Sequence, residues 1–508
     1  MRLIRGSSVH LVMKPFYKPE PTLNHMQRLS FFLLALACSF SAYAVRLPAV
    51  INSHMVLQRD MQVPIWGWGD AGEKVTVTFA GQKKETTVGK NGEWMVKLGK
   101  LKANATPSTL TVLGNNEIKL ENVLVGEVWL CSGQSNMEWH VRQCANPNEE
   151  IAAANYPHIR LFDVPGHTIH PQPQRKGKGN WNVCSPASIP KFSATGYYFG
   201  RRLHKELGIP VGLIGSNWGG TRIEPWTTLD GFKSVPELSA QAKEVAAYNP
   251  KTKVNPQKPS AIYNSMVHPL TPYALRGAIW YQGESNGNEG ITYYHKKHAL
   301  VNGWRQAFQN PNLGFYWVQL CNYQKPGTTP GGGDGWAKLR EAQAQALDLT
   351  HSGMAVIIDL ADAHKPQDIH PKNKQDVGSR LAQWALHQTY AKQDLVPSGP
   401  LYKSHSIKGD KIHLSFNHIG RGLIIGKKTG LAPTEEIKDG TLKHFSIAGP
   451  DKKWHWAHAQ VVGDQVVLHS PEVKNPVAAR YAFTMNPADA NLYNKDGLPA
   501  GPFRTDSW

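Results

Sequence analysis

The chain has 508 residues, which is enough for two to four domains that each bury a hydrophobic core. Hydrophobic residues make up 41% and charged residues 19%, with 46 glycines and 35 prolines, a composition typical of globular proteins rich in strands and loops. The formal charge is +18, but its basic residues are scattered along the chain. This distribution argues against a nucleic-acid-binding protein, which would concentrate positive charge in a patch or tail.

Residues 1–44 are predicted to be a signal peptide, in which Met26 is a candidate start. A basic residue precedes the apolar run Leu29–Ala37, and Ala42–Ala44 gives the small-x-small pattern of a cleavage site. Cleavage there is favoured over a lipid anchor at Cys38. The apolar run is too short to span a bilayer, so no transmembrane segment is predicted. We therefore expect export to the periplasm or the extracellular space.

Residues 45–120 alternate apolar and polar side chains in short segments such as Lys74–Phe79. Turn sequences such as Gly69–Gly72 and Lys90–Gly92 separate these segments. Alternation with a period of two, interrupted by turns, predicts a small β-sandwich domain.

From residue 121 the pattern changes to short apolar runs, which are typical of buried parallel strands. Five such strands are predicted: Val123–Leu130, Val211–Ile214, Ala278–Tyr281, Phe315–Leu320 and Met354–Leu360. Apolar residues recur at helical spacing in Thr195–Leu207 and Tyr293–Phe308, and another helix should start near Pro371. Alternating strands and helices predict a doubly wound α/β domain with a parallel sheet over residues 121–395.

After Val396–Pro400 the chain returns to short strands such as Gln460–Val462 and Gln465–Leu468. Residues 396–508 are therefore predicted to form a β-rich C-terminal domain.

Four cysteines remain after the predicted cleavage site. Cys131 and Cys321 lie in or beside apolar runs and are predicted to be buried thiols. Cys144 and Cys184 lie in polar sequence and could pair in an oxidising compartment. No spacing typical of metal ligands is present, so neither a metal nor a cofactor is predicted.

Polar clusters follow four of the five predicted strands, at the strand ends where open parallel sheets bind ligands. In chain order these clusters contain Ser135, then Gly219-Gly220-Thr221, then Gln282 to Asn286, then Asp368 and His370. A serine nucleophile needs a base to accept its proton and a third group to orient that base. Ser135 as nucleophile, His370 as base and Asp368 as orienting acid would meet these needs.

A tetrahedral oxyanion also needs preorganised hydrogen-bond donors. The candidates are the backbone N–H groups of Ser135 and Gly220 and the side-chain amide of Gln282 or Asn286. Each feature has a structural alternative as well. A serine after a strand is often a helix N-cap, a glycine pair is often a turn, and other histidines match His370 by residue type. The common position of all four clusters after strands of one sheet favours a catalytic site.

The four blocks Gly133–Met137, Gly219–Thr221, Trp280–Asn286 and Asp368–Pro371, in this order, resemble those of the sialate O-acetylesterase family of SGNH hydrolases. The resemblance extends over about residues 47–390. It implies a flavodoxin-like hydrolase domain in which Ser135 takes up an acetyl group and water then releases acetate.

Two positions depart from the pattern of the wider SGNH group. The group usually places its acid three residues before the histidine, where this chain has Gln367, so Asp368 is preferred and Asp362 or Asp359 is the alternative. The group has an asparagine in its third block, where Gln282 and Asn286 compete here. Gln282 is preferred because it is nearer the strand end.

The predicted partner is an O-acetylated saccharide, with sialic acid as the preferred sugar. A sialic acid carboxylate would need an arginine, and Arg222 and Asn286 are the predicted substrate-binding residues. Arg222 could instead pair with Glu224. Acetylated xylan or another hemicellulose is the alternative substrate. A carbohydrate-binding protein without catalysis is the alternative class, indicated by two β-domains and 16 tryptophans.

Overall fold

The structure, a computed structural model, describes Met13, Lys14, Phe16 and residues 44–508. Residues 45–508 form one compact unit. The features that predict a signal peptide, from Met26 to Tyr43, lie outside the described residues. Within the part of the chain that is described, no helix is both long enough and apolar enough to cross a membrane.

The N-terminal region is built from seven strands that pair mainly as antiparallel sheets. They are β1 (Val56–Gln58), β2 (Val63–Trp68), β3 (Lys74–Phe79), β4 (Gln82–Thr87), β5 (Glu93–Leu98), β6 (Asn104–Leu113) and β7 (Glu117–Gly133). Strand β2 pairs with β5, while β3 lies between β4 and β6. Every second residue of β3 is buried, and the buried side chains of both sheets belong to one hydrophobic cluster. The predicted β-sandwich is present.

A parallel sheet forms the centre of the molecule. Its further strands are β8 (Tyr156–Asp163), β9 (Trp181–Cys184), β10 (Val211–Asn217), β11 (Gly277–Tyr281), β12 (Gly314–Val318) and β13 (Ser352–Ala355). The order is β13-β12-β11-β7-β10-β8-β9, and all neighbours are parallel except β8 and β9. The five predicted strands thus follow the flavodoxin-like order. Strands β8 and β9 escaped prediction because β8 is interrupted by proline and charged residues and β9 is short.

Strand β7 belongs to both sheets. Its first half pairs with β6, and its second half lies between β10 and β11 in the parallel sheet. The boundary predicted between residues 120 and 121 therefore falls inside one continuous strand. The division into domains 45–120, 121–395 and 396–508 remains a proposal.

Eight α-helices are present in the described part of the chain. They are α1 (Ser135–Glu138), α2 (Pro147–Ala152), α3 (Ala194–Leu207), α4 (Leu229–Lys233), α5 (Ser239–Ala246), α6 (Ile291–Ala307), α7 (Gly335–Gln345) and α8 (Lys374–Trp384). Helices α3 and α6 match two predicted helices closely. Helix α8 begins later than the predicted start at Pro371, because the Asn373 side chain accepts the N–H of Asp376 and caps the helix there.

The C-terminal region contains three small antiparallel sheets, as the sequence predicts. Its strands are β14 (Leu401–Lys408), β15 (Lys411–Asn417), β16 (Leu423–Lys427), β17 (Glu435–Glu436), β18 (Phe445–Ala448), β19 (Trp454–Trp456), β20 (His458–Val462), β21 (Gln465–His469), β22 (Ala478–Tyr481), β23 (Leu492–Asn494) and β24 (Phe503–Arg504). The sheet orders are β14-β15-β21-β20, β17-β16-β23 and β19-β18-β22-β24.

All four cysteines within residues 44–508 are free and buried. The predicted pairing of Cys144 with Cys184 is therefore wrong. Burial raises the pKa of each of these two thiols to about 12, so both stay protonated at neutral pH. Each is packed in the core of the α/β region, where hydrophobic contacts and not redox chemistry explain its presence.

Lys297 of α6 is buried, and its Nζ has no hydrogen-bond partner in the described part of the chain. The nitrogen lies 5.6, 5.3 and 5.2 Å from the ring centroids of Trp280, Tyr293 and Trp317. Burial lowers the pKa of Lys297 well below its ordinary value. The folded state therefore favours the uncharged amine more strongly than the unfolded state does.

We expect Lys297→Met to raise the free energy of unfolding by about 1–3 kcal/mol at pH 7, because it removes an unpaired buried polar group. The parent loses stability as pH falls below about 10.4, the unfolded pKa of lysine, since only the unfolded chain takes up the proton. The gain should therefore be larger at pH 7 than at pH 10. Urea unfolding of the parent and the variant at both pH values measures this difference in the free energy of unfolding. A variant less stable than the parent at pH 7 would contradict the interpretation that the buried amine destabilises the fold.

Candidate active site

The structure brings Ser135, His370 and Asp368 together at the carboxyl end of the parallel sheet. Ser135 Oγ lies 3.0 Å from His370 Nε2, and His370 Nδ1 lies 3.2 Å from Asp368 Oδ1. The backbone N–H of His370 donates to the same carboxylate oxygen at 2.9 Å. A hydroxyl, an imidazole and a carboxylate thus form a continuous hydrogen-bonded chain, which is the arrangement that activates a serine for nucleophilic attack.

The position of Ser135 follows from a close contact between two strands. At Gly133, the end of β7, an added Cβ would lie 2.1 Å from the carbonyl oxygen of Tyr281 in β11, so only glycine fits. The next N–H, of Gln134, donates to that carbonyl at 2.9 Å. The chain then turns into α1, whose N-cap is Gln134 and not Ser135. The serine hydroxyl is therefore not used for helix capping.

A buried network ties the Ser135 turn to the loop that carries His370. The Asn136 side chain donates to Glu284 Oε1 at 2.6 Å and to the carbonyl oxygen of Ile369 at 2.8 Å. Lys374 donates to Asn136 Oδ1 at 2.6 Å and to the carbonyl oxygen of Pro371 at 2.8 Å. Asn136 and Glu284 lie inside two of the sequence blocks, but nothing in the local sequence points to Lys374.

Trp139 packs against the face of the His370 imidazole. Its ring stacks on His370 with centroids 4.5 Å apart and an interplanar angle of 18°. The Lys372 Nζ lies 4.1 Å from the Trp139 ring. Trp139 thus contacts both the Lys372 cation and the imidazole, and its stacking restricts the orientation of the His370 ring. Sequence analysis did not single out this tryptophan, although it lies only one helical turn after Ser135.

The two alternative acids are engaged elsewhere. Asp359 forms a bidentate ion pair with Arg380 at 2.6 and 2.7 Å and accepts the hydroxyl of Tyr493. Asp362 accepts the backbone N–H of His364 at 2.9 Å. Of the three predicted candidates, Asp368 is the one that contacts His370.

The two candidate oxyanion amides do not face the serine. Gln282 is buried, and its amide donates to the carbonyl oxygen of Thr221 at 3.2 Å and to Asn286 Oδ1 at 2.7 Å. The Asn286 amide, also buried, donates to Glu224 at 3.1 Å and to Glu289 at 3.0 Å. Both protons of each amide are used, which contradicts the predicted oxyanion role of Gln282 and the predicted substrate contact of Asn286.

The glycine turn after β10 lies directly against the nucleophile. An added Cβ at Gly219 would lie 3.4 Å from Ser135 Cβ. The Gly219 N–H donates to Glu138 Oε2 at 2.6 Å, and Gly220 has a φ of +74°, which favours glycine. Within residues 44–508 the backbone N–H groups of Ser135 and Gly220 have no hydrogen-bond partner. These two donors remain available to a ligand.

Arg222 follows the glycine turn and belongs to a cluster of four charges. It contacts Glu224 at 3.2 Å and also pairs with Glu289. Lys296 lies 2.7 Å from each of the same two carboxylates. The structure thus shows the alternative stated from the sequence, in which Arg222 pairs with Glu224. The Arg222 side chain is 39% exposed, so part of it still faces solvent.

Comparisons with known proteins identify the family of this chain. The family model described as carbohydrate esterase, sialic acid-specific acetylesterase, covers residues 125–387. The chain belongs to this family. The sialate O-acetylesterase of Homo sapiens is 31% identical over 90% of this chain and 92% of its own length, and that of Mus musculus is 29% identical over 93% and 96%.

A solved structure agrees over the same length. The crystal structure of a carbohydrate acetylesterase from Xanthomonas citri has a TM-score of 0.81 and 38% identity, and it matches 92% of this chain and all of that chain. The predicted family and fold class are confirmed. As a member of this carbohydrate esterase family, the chain is a hydrolase of carboxylic esters.

The surroundings of His370 keep its imidazole neutral near pH 7. Burial lowers the pKa of His370, and the Lys374 cation lowers it further, while Asp368 acts in the opposite direction. Burial raises the pKa of Asp368, but the His370 N–H and the Lys372 cation outweigh this effect and hold that pKa below its usual value. This site therefore favours an ionised Asp368 carboxylate beside a neutral His370 imidazole.

The lowered pKa of His370 determines the expected pH dependence of the esterase. A protonated imidazole cannot accept the serine proton, so kcat/KM should fall as pH drops through the pKa of His370. Because that pKa is lowered from its ordinary value of 6.5, we expect the midpoint of this decline to lie below pH 6.5. Initial rates with 4-nitrophenyl acetate measure this profile, and an inflection above pH 7 would contradict it.

Asp368→Asn should lower kcat by roughly 10³- to 10⁴-fold, since the amide no longer stabilises the imidazolium or selects its tautomer. Asp362→Asn is the matched control, because Asp362 lies in the same loop and contacts His364 instead. The kcat of the control should stay within about twofold of the parental kcat in the same assay. An equal loss of kcat in both variants would mean that a disturbed loop, and not the missing Asp368 carboxylate, causes the loss of activity.

Proposed function

We propose that the protein removes O-acetyl groups from saccharides through an acetyl-Ser135 intermediate. The observation that carries this proposal is the 3.0 Å hydrogen bond between Ser135 Oγ and His370 Nε2. The hydroxyl attacks the acetyl carbonyl while Nε2 accepts its proton, and Asp368 stabilises the resulting imidazolium. The imidazolium then protonates the departing sugar oxygen. Water, activated by the neutral imidazole, releases acetate in the second half of the reaction.

The backbone N–H groups of Ser135 and Gly220 are the proposed oxyanion donors. They belong to the two turns that meet at the nucleophile, and neither has a partner among residues 44–508. Such a donor contributes about 3 kcal/mol of transition-state stabilisation. Glu138 accepts the neighbouring N–H of Gly219 and so positions this turn.

Sialic acid is the proposed acetylated sugar. The family description and the names of the mammalian relatives support it. The exposed part of Arg222, next to the glycine turn, is the group that would meet the sugar carboxylate. One observation favours the alternative, acetylated xylan or another neutral hemicellulose. Glu224 and Glu289 already neutralise Arg222 and Lys296, which weakens the attraction for an anion.

Export is the proposed location. The basic start, the apolar run and the small-x-small site within residues 1–44 support a cleaved signal peptide, and a periplasmic or extracellular enzyme would meet acetylated saccharides there.

Ser135→Ala should lower acetate release by on the order of 10⁵- to 10⁶-fold, while its thermal unfolding stays close to that of the parent. Ser406→Ala, which changes an exposed serine of β14, is the matched control and should keep parental rates. The substrates are 9-O-acetyl sialic acid and acetylated xylooligosaccharide, compared by kcat/KM. Retention of more than a few per cent of activity by Ser135→Ala would refute the mechanism. Faster hydrolysis of the xylooligosaccharide by the parent would establish the alternative substrate.

A further inference from the structure

A polar cavity lies beside the glycine turn, since one of its lining residues, Gln257, is hydrogen-bonded to Gly220. Its volume is about 380 Å³, which is within the range of small-molecule sites, and it opens to solvent. It is lined by Glu224, Gln241, Glu244, Asn255, Gln257 and Lys258. Three of these six side chains are amides, which can donate and accept hydrogen bonds at the same time.

One side chain connects this cavity to the nucleophile. Gln257 donates through Nε2 to the carbonyl oxygen of Gly220 at 3.1 Å and accepts the backbone N–H of Arg222 at 3.2 Å. Gly219, the neighbour of Gly220, is the residue whose added Cβ would lie 3.4 Å from Ser135 Cβ. The same glycine turn therefore contacts both a residue that lines the cavity and the nucleophile.

The walls of the cavity are held by main-chain contacts. The segment after Lys258 is fixed on the Glu224 turn, since the N–H of Ser260 donates to the carbonyl oxygen of Glu224 and that of Ile262 to Pro225, each at 3.1 Å. Gln241 and Glu244 are three residues apart on α5, so they lie on one face of that helix. The cavity is thus formed before any ligand arrives.

The charges that line the cavity are already paired. Glu244 contacts Lys258 at 2.9 Å, and Glu224 contacts Lys296 at 2.7 Å. The Gln241 amide and the Asn255 Nδ2 group, in contrast, have no hydrogen-bond partner within residues 44–508. Unpaired amides beside neutralised charges suit the hydroxyl groups of an uncharged sugar better than a carboxylate.

We propose that this cavity binds an uncharged sugar unit next to the acetylated one, so that the enzyme acts on acetylated oligosaccharides in preference to the free acetylated sugar. This inference rests on the proposed function, because it assigns a role to the saccharide beyond its acetylated unit. Gln241 and Asn255 would bind the hydroxyl groups of that unit. Gln257 would link its binding to the turn that carries the Gly220 N–H.

The test compares kcat/KM for 9-O-acetyl sialic acid and for sialyllactose acetylated at the same position, whose added units are uncharged. The parent should prefer the oligosaccharide by about tenfold, the effect expected of one or two hydrogen bonds. Gln241→Ala and Asn255→Ala should each reduce this preference by about three- to tenfold, through a higher KM for the oligosaccharide. Gln393→Ala changes an exposed glutamine that does not line the cavity, and it should keep the parental preference.

A second measurement separates this inference from the proposed function. Sialyllactose binding to Ser135→Ala is measured by calorimetry, with and without Gln241→Ala in the same chain. Weaker binding in the double variant supports the cavity even if the parent hydrolyses neither substrate, an outcome that would refute only the proposed function. A parent without preference, or equal binding to Ser135→Ala with and without the second change, would overturn the cavity assignment.

Discussion

The hydrogen bond between Ser135 and His370 is the contact on which the chemistry proposed for this esterase depends. It joins two loops that lie 235 positions apart in the chain. Ser135 begins a short helix after β7 and His370 lies in a loop, and neither side chain would be reactive without the other. The buried bonds of Asn136 to Ile369 and to Lys374 hold the loops in register, and in a poorly hydrated environment such bonds are strong and specific.

Close main-chain contacts provide the second constraint. Gly133 lets β7 and β11 approach at the point where the strand order reverses, and Gly219 lets the next turn lie against the nucleophile. A side chain at Gly133 would collide with the Tyr281 carbonyl oxygen and separate the two strands. The same geometry leaves the backbone N–H groups of Ser135 and Gly220 without a partner among residues 44–508, and these are the donors proposed for the oxyanion.

Near the site, each of the charged side chains described above lies close to a side chain of opposite charge. The His370 imidazole is neutral between the Lys374 cation and the Asp368 carboxylate, and Arg222 and Lys296 are balanced by Glu224 and Glu289. A chain with a formal charge of +18 therefore presents no uncompensated basic residue in this described cluster.

The sequence by itself determined the fold class, the five central strands, the family and the identity of the Ser135, His370 and Asp368 candidates. Apolar runs and ordered blocks are local patterns, and a central parallel strand needs an apolar run whatever its neighbours are. Only the tertiary structure decided how the Gln282 and Asn286 amides are used, that Cys144 and Cys184 stay apart, and that Trp139 and Lys374 support the site. A hydrogen-bond donor can serve one partner at a time, and that partner, such as Thr221 for Gln282, lies far away in the chain. Such hydrogen bonds cannot be predicted from the local sequence, because they form only when separate elements pack together.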